Sequence, residues 1–72
     1  MYTNQQDSGE LRIVLYSHDS QGLGHTRRNL AIAHALAARL PALTGRKVSG
    51  LLVTGEGTAT SYRRPEGWDW MV

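Results

Sequence analysis

The chain has no cysteine and no phenylalanine, only two prolines, and a single lysine among its 72 residues. Without cysteine there are no disulfides and no thiolate metal ligands, and cysteine usage says nothing about redox compartment. No apolar run approaches the roughly 20 residues that cross a bilayer. The first ten residues, Met1-Tyr2-Thr3-Asn4-Gln5-Gln6-Asp7-Ser8-Gly9-Glu10, have neither the basic start nor the apolar stretch of a signal peptide. They read as a polar, disordered leader, and a soluble cytoplasmic protein is expected. No carboxylate pair and no metal-ligand spacing stands out, so no metal is expected.

Charge of one sign is also scarce. Seven arginines and one lysine face six acids, for a net charge of +2. Nucleic-acid binding domains usually carry a long basic stripe. Here four arginines form two pairs, Arg27-Arg28 and Arg63-Arg64, and Tyr62 beside the second pair is a thin platform for a base. Nucleic acid is not expected as a partner. A domain of this size buries only about 60% of the surface its unfolded chain exposes, so its core is small.

What is present falls into a clear order. Leu11–Ser17 is short, mostly apolar and rich in β-formers, a strand. Its near-continuous hydrophobicity predicts a parallel strand with both faces covered. A helix follows from about His25 or Thr26 to Leu40, carried by the strong helix formers Ala31, Ala33, Ala35, Ala37 and Ala38. At 100° per residue Leu30, Ile32, Ala33, Leu36, Ala37 and Leu40 share an arc of about 160°. Arg27, Arg28, His34 and Arg39 lie outside it, with His34 at its edge and read as structural. Pro41 and Gly45 are expected to stop this helix. Val48–Thr54 is a second strand, Thr58–Arg64 a short helix or loop, and Trp68–Val72 a third strand.

The order β-α-β-(α)-β predicts an α/β fold, a partial Rossmann-like parallel sheet. One good helix covers one face of such a sheet and leaves the other without cover. The expectation is therefore an incomplete domain over residues 11–72, marginally stable and prone to associate through its open edge when alone.

Ligands of open α/β sheets bind at the carboxyl ends of the strands, which is where Ser17-His18-Asp19-Ser20-Gln21-Gly22-Leu23-Gly24-His25 lies. Gly22 and Gly24 permit tight turning and close approach of a ligand to backbone. The amides and positive dipole end of the following helix suit an anion. Arg27 and Arg28 stand in the first turn, where a cation is disfavoured by about 0.3–1 kcal/mol. A phosphate would offset that, and so would solvent or a pairing with Asp19. His25 is placed to take a proton from a hydroxyl, or merely to pack the turn. His18 at the strand end touches ligand or bonds backbone.

Two glycine-loop patterns can be compared directly. A dinucleotide fingerprint needs Gly-x-Gly-x-x-Gly, and Arg27 stands where the third glycine belongs, where a side chain is expected to push the helix off the strand. Glu56, after the second strand, is placed like a ribose-binding acid. A Walker loop needs lysine after glycine, and Gly24-His25-Thr26 has none.

The string Tyr16-Ser17-His18-Asp19-Ser20-Gln21-Gly22-Leu23-Gly24-His25-Thr26-Arg27-Arg28-Asn29-Leu30-Ala31 resembles the N-terminus of predicted bacterial glycosyltransferases of the two-domain GT-B type. These are similar to the enzymes that add N-acetylglucosamine to the peptidoglycan lipid precursor and to diacylglycerol galactosyltransferases. The resemblance extends over Leu11–Val72. It implies an N-terminal Rossmann-like domain on the acceptor side of a cleft, with a nucleotide-sugar donor held by a C-terminal domain. It implies His25 as catalytic base or acceptor contact and Gly22 and Gly24 as shapers of the loop; with His18, Asp19, Arg27 and Arg28 read from their places on the turn, these are the expected substrate-binding residues. No cofactor beyond the nucleotide-sugar substrate is implied, and any peripheral membrane contact falls to a region outside these residues. The chain departs from the precursor-modifying enzymes in having Gln21-Gly22-Leu23-Gly24 rather than a richer glycine run. By itself it is expected to transfer no sugar. The alternative is a nucleotide- or dinucleotide-binding module without transferase activity.

Overall fold

The computed structural model describes residues 9–18 and 24–72. Three strands, β1 (Glu10–Ser17), β2 (Lys47–Thr54) and β3 (Trp68–Met71), form one parallel sheet in the order β1-β2-β3. Helix α1 (Gly24–Thr44) connects β1 to β2, and a crossover containing a 3₁₀ turn (Gly57–Ser61) connects β2 to β3. This is the partial Rossmann-like α/β arrangement that the sequence predicts.

Register decides which residues share a face. Ile13, Gly50 and Trp68 form one row and Leu15, Leu52 and Trp70 the next. Those rows face α1. The core is Ile13, Ala33, Leu52 and Trp68, flanked by Leu15, Leu30, Leu36, Leu40, Val48 and Trp70. Gly50 is required by this packing, because a Cβ there would land in the six-membered ring of Trp68. The Trp68 indole is 1% exposed, and its Nε1 has no hydrogen-bond partner among the described residues.

The second crossover lies on the same side. Trp70 donates its indole N–H to the Tyr62 carbonyl (3.2 Å), and His34 donates from Nε2 to the Arg63 carbonyl (3.0 Å). His34 thus has the structural place its position at the edge of the arc suggests. Both connections on one side leave the other face without cover among the described residues, with Val14 62% and Tyr16 66% exposed beside Met71. Among the described residues only one face of β1 is covered, as a single good helix predicts, and the cover expected for its second face is not among them. An apolar run in a strand reports the need for cover, and α1 supplies it to alternate residues only.

Two boundaries and the buried face of α1 differ from expectation. Glu10 belongs to β1, paired with Lys47, so the leader is shorter by that residue; residues 1–8 lie outside the described residues. Pro41 does not end the helix, which runs on to Thr44. A proline lacks its N–H and crowds the carbonyl four residues back, but its fixed φ is helical, and Pro41 stands only three residues from the end, so the last turn still closes. Gly45 ends the helix instead, in a left-handed conformation (φ +68°), with its N–H on the Pro41 carbonyl at 2.9 Å. Third, Ile32 is 39% exposed while Thr26 is buried at 1%. Thr26 and Ala33 are seven residues apart and share one stripe. The buried arc is therefore rotated toward the start of the helix and away from Ile32.

Candidate functional site

The carboxyl ends of β1 and β2 and the first turn of α1 meet around three small hydroxyl residues. Ser17 and Thr54 are register partners at the strand ends, and both are buried. Thr26 reaches down from α1 between them. Its Oγ1 is 2.9 Å from Ser17 Oγ and 3.1 Å from Thr54 Oγ1. Ser17 donates to the Val53 carbonyl at 3.3 Å, and the Glu56 N–H donates to Thr54 Oγ1 at 3.1 Å. Asn29, one turn along the helix, donates from Nδ2 to the Tyr16 carbonyl at 3.0 Å. Buried polar groups without partners are costly, and here the hydroxyls satisfy one another while joining helix to sheet.

Above this seat the candidate residues separate. His18 follows β1 directly and is exposed; His25 is exposed in the first turn of α1. Gly24 is the first residue of that helix, has no positive φ, and would meet nothing within 4 Å if it carried a Cβ. Packing among the described residues does not demand glycine there. Asp19 and Gly22 lie outside the described residues, as does the suggested pairing of Asp19 with an arginine.

The two arginines differ. Arg27 donates from Nη2 to the Tyr62 hydroxyl at 3.1 Å, with its guanidinium 5.6 Å from the ring centroid. Arg28 is exposed and makes no side-chain bond to another described residue. Arg27 does not push the helix off the strand, as the comparison with a dinucleotide loop suggests. It points outward, and the close approach is made by Thr26. A steric objection to the dinucleotide pattern at Arg27 therefore fails in this fold.

The Tyr62 ring faces the Arg27 guanidinium, and its carbonyl accepts from the Trp70 indole. Arg64 bonds the Trp68 carbonyl and pairs with Asp69 at 3.3 Å. Glu56 caps the 3₁₀ turn, its Oε1 accepting from the Thr58 N–H at 3.3 Å and hydroxyl at 3.2 Å. Among the described residues no three of His, Asp or Glu gather to hold a metal, and no helix is long and apolar enough to cross a membrane.

Sequence reasoning gave no role to Thr26, Asn29 or Thr54, named Ser17 only as the start of the turn, and saw Tyr62 only as a thin platform for a base. The available signal was a small hydroxyl residue ending each of the first two strands. What joins them is the register of β1 with β2, which is not a local property. No protein-family model, no curated protein and no solved structure matches the chain.

Proposed function

We propose that this chain forms the acceptor-side wall of a glycosyltransferase of the two-domain type, with the donor half of the cleft supplied by another domain. The observation that carries this reading is the placement of exposed His18, His25 and Arg28 around the N-terminus of a 21-residue helix, at the carboxyl ends of parallel strands. That is where open α/β sheets bind ligands. The strand order also leaves β1 at an edge, beside which the strand order of a doubly wound sheet reverses and its crevice opens.

In this reading His25 takes the proton of an acceptor hydroxyl as that oxygen bonds to the anomeric carbon of the donor sugar. The bond from that carbon to the nucleotide's terminal phosphate oxygen breaks, and the nucleoside diphosphate leaves with the electron pair. The first amides of α1 and the Arg28 guanidinium stabilise the phosphate charge that develops. Arg27 contributes less, since Tyr62 already engages it.

The test is a titration of the ¹⁵N-labelled chain with inorganic pyrophosphate, UDP-N-acetylglucosamine and oxidised nicotinamide dinucleotide. Shifts confined to residues 17, 18 and 24–28 with pyrophosphate and the nucleotide sugar support the reading. Tighter binding of the dinucleotide, with Glu56 perturbed, favours the alternative of a dinucleotide-binding module. Silence from all three at that turn removes the dinucleotide module and the phosphate contact assigned to the α1 amides and Arg28.

A further inference from the structure

The three buried hydroxyls form a continuous line. Thr26 Oγ1 stands 2.9 Å from Ser17 Oγ and 3.1 Å from Thr54 Oγ1, and either member of each pair can donate. The line is anchored on backbone at both ends: Ser17 bonds the Val53 carbonyl, and Thr54 accepts from the Glu56 N–H.

We infer that Thr26 is a positioning residue for the turn, its hydroxyl setting where the first turn of α1 sits on the ends of β1 and β2. His25 and Arg28, one residue before and two residues after, take their places from it. The inference rests on the reading of this turn as ligand-bearing. Apolar burial is non-directional, so the contacts of Ala33 and Leu30 hold α1 on the sheet without fixing its axial place sharply. The hydroxyl line does fix it. A slide of one residue would bring His25 or Arg27 between Ser17 and Thr54 and leave hydroxyls of the line unpaired in a buried place. Such placement matters because a misplacement of about 1 Å at a reacting group can cost on the order of 10²-fold in rate.

Two variants separate hydroxyl from methyl. Thr26→Val keeps the shape and removes the hydroxyl; Thr26→Ser keeps the hydroxyl and removes the methyl. The first readout needs no ligand: amide resonances of residues 24–28 and 54–56, the His25 ring proton resonances, and hydrogen exchange at the Glu56 amide. Thr26→Ser is expected to leave them at wild-type positions. Thr26→Val is expected to move them and to speed Glu56 exchange by about 10-fold or more, a local opening, with residues 33–40 still protected. The inference is overturned if Thr26→Val matches wild type while Thr26→Ser shifts, or if the two behave alike. Should Thr26→Val fail to fold, Thr54→Val against Thr54→Ser breaks the same line from the sheet and is read in the same way. The second readout is the shift of His25 with inorganic pyrophosphate, expected to need about 10-fold more pyrophosphate in Thr26→Val than in Thr26→Ser. If pyrophosphate leaves wild-type His25 untouched, the ligand reading fails, while the first readout still decides the positioning role.

Discussion

The guanidinium of Arg27 lies 5.6 Å from the centroid of the Tyr62 ring and donates to that ring's hydroxyl at 3.1 Å. One residue in the first turn of α1 and one at the end of the 3₁₀ turn thus tie the second crossover to the helix. A cation–π contact at an exposed site contributes about 0.5–1 kcal/mol. Arg27→Ala is therefore expected to lower unfolding stability by about that amount, and Arg28→Ala by much less. The reverse order is expected for pyrophosphate affinity, where Arg28→Ala is the more damaging. Urea unfolding and the titration, run on both variants, check the two orders.

Gly50 and Trp68 predict a coupled pair. Gly50→Ala drives a methyl into the Trp68 ring, and overpacking of this kind costs about 1–3 kcal/mol. Trp68→Phe shrinks that ring and removes the unpartnered buried Nε1–H, whose burial costs about 1–3 kcal/mol. The net loss from Trp68→Phe is expected to stay near about 1 kcal/mol, below that of an ordinary core truncation. The double variant is expected to lose less than the sum of the singles, because the two residues share one space. Thermal melts of the four proteins read this directly; strict additivity would contradict the contact.

Glu10 predicts a pH dependence. The Ser49 hydroxyl donates to Glu10 Oε2 at 2.9 Å, and with Arg12 and Lys47 nearby the carboxyl is held below its usual range. A carboxyl lowered in the folded state adds stability that is complete above its unfolded pKa and is lost as pH falls through the folded one. Stability is expected to fall across that acid window, and Glu10→Gln is expected to flatten the fall there. Urea midpoints at neutral and acid pH give the comparison, and an unchanged slope in the variant would remove Glu10 as its source.

His25 carries the catalytic proposal. In an active two-domain enzyme containing this turn, His25→Ala is expected to lower kcat by about 10²-fold or more, the ordinary contribution of a general base. An unchanged rate would leave His25 an acceptor contact at most. The chain by itself is expected to transfer no sugar, and transfer of labelled sugar by the purified chain would overturn the division of the cleft between two domains.

Much of the fold was legible because it is written locally. β-formers in Leu11–Ser17, the alanines of α1 and the run Val48–Thr54 each announce their element with no reference to the rest of the chain. The end of α1 was legible in part. Gly45 terminates it as a left-handed residue, while Pro41 is accommodated in its last turn, where its helical φ fits. The place of the site was legible too, since a turn after a parallel strand lies at a carboxyl edge by construction. Its seat was not: Ser17, Thr26 and Thr54 are unremarkable until strand pairing sets two of them side by side.

Local periodicity and glycine placement thus determined, from the sequence alone, the order of elements, the parallel sheet and the turn that carries His25. Tertiary structure alone decided that Thr26 and not Ile32 faces the sheet, and that Arg27 belongs to Tyr62 while Arg28 stays exposed. The physical reason is range. Propensity acts between residues a few positions apart, whereas these outcomes depend on register between β1 and β2 and on where the chain from Gly57 to Arg64 crosses, contacts that exist only once the sheet has formed.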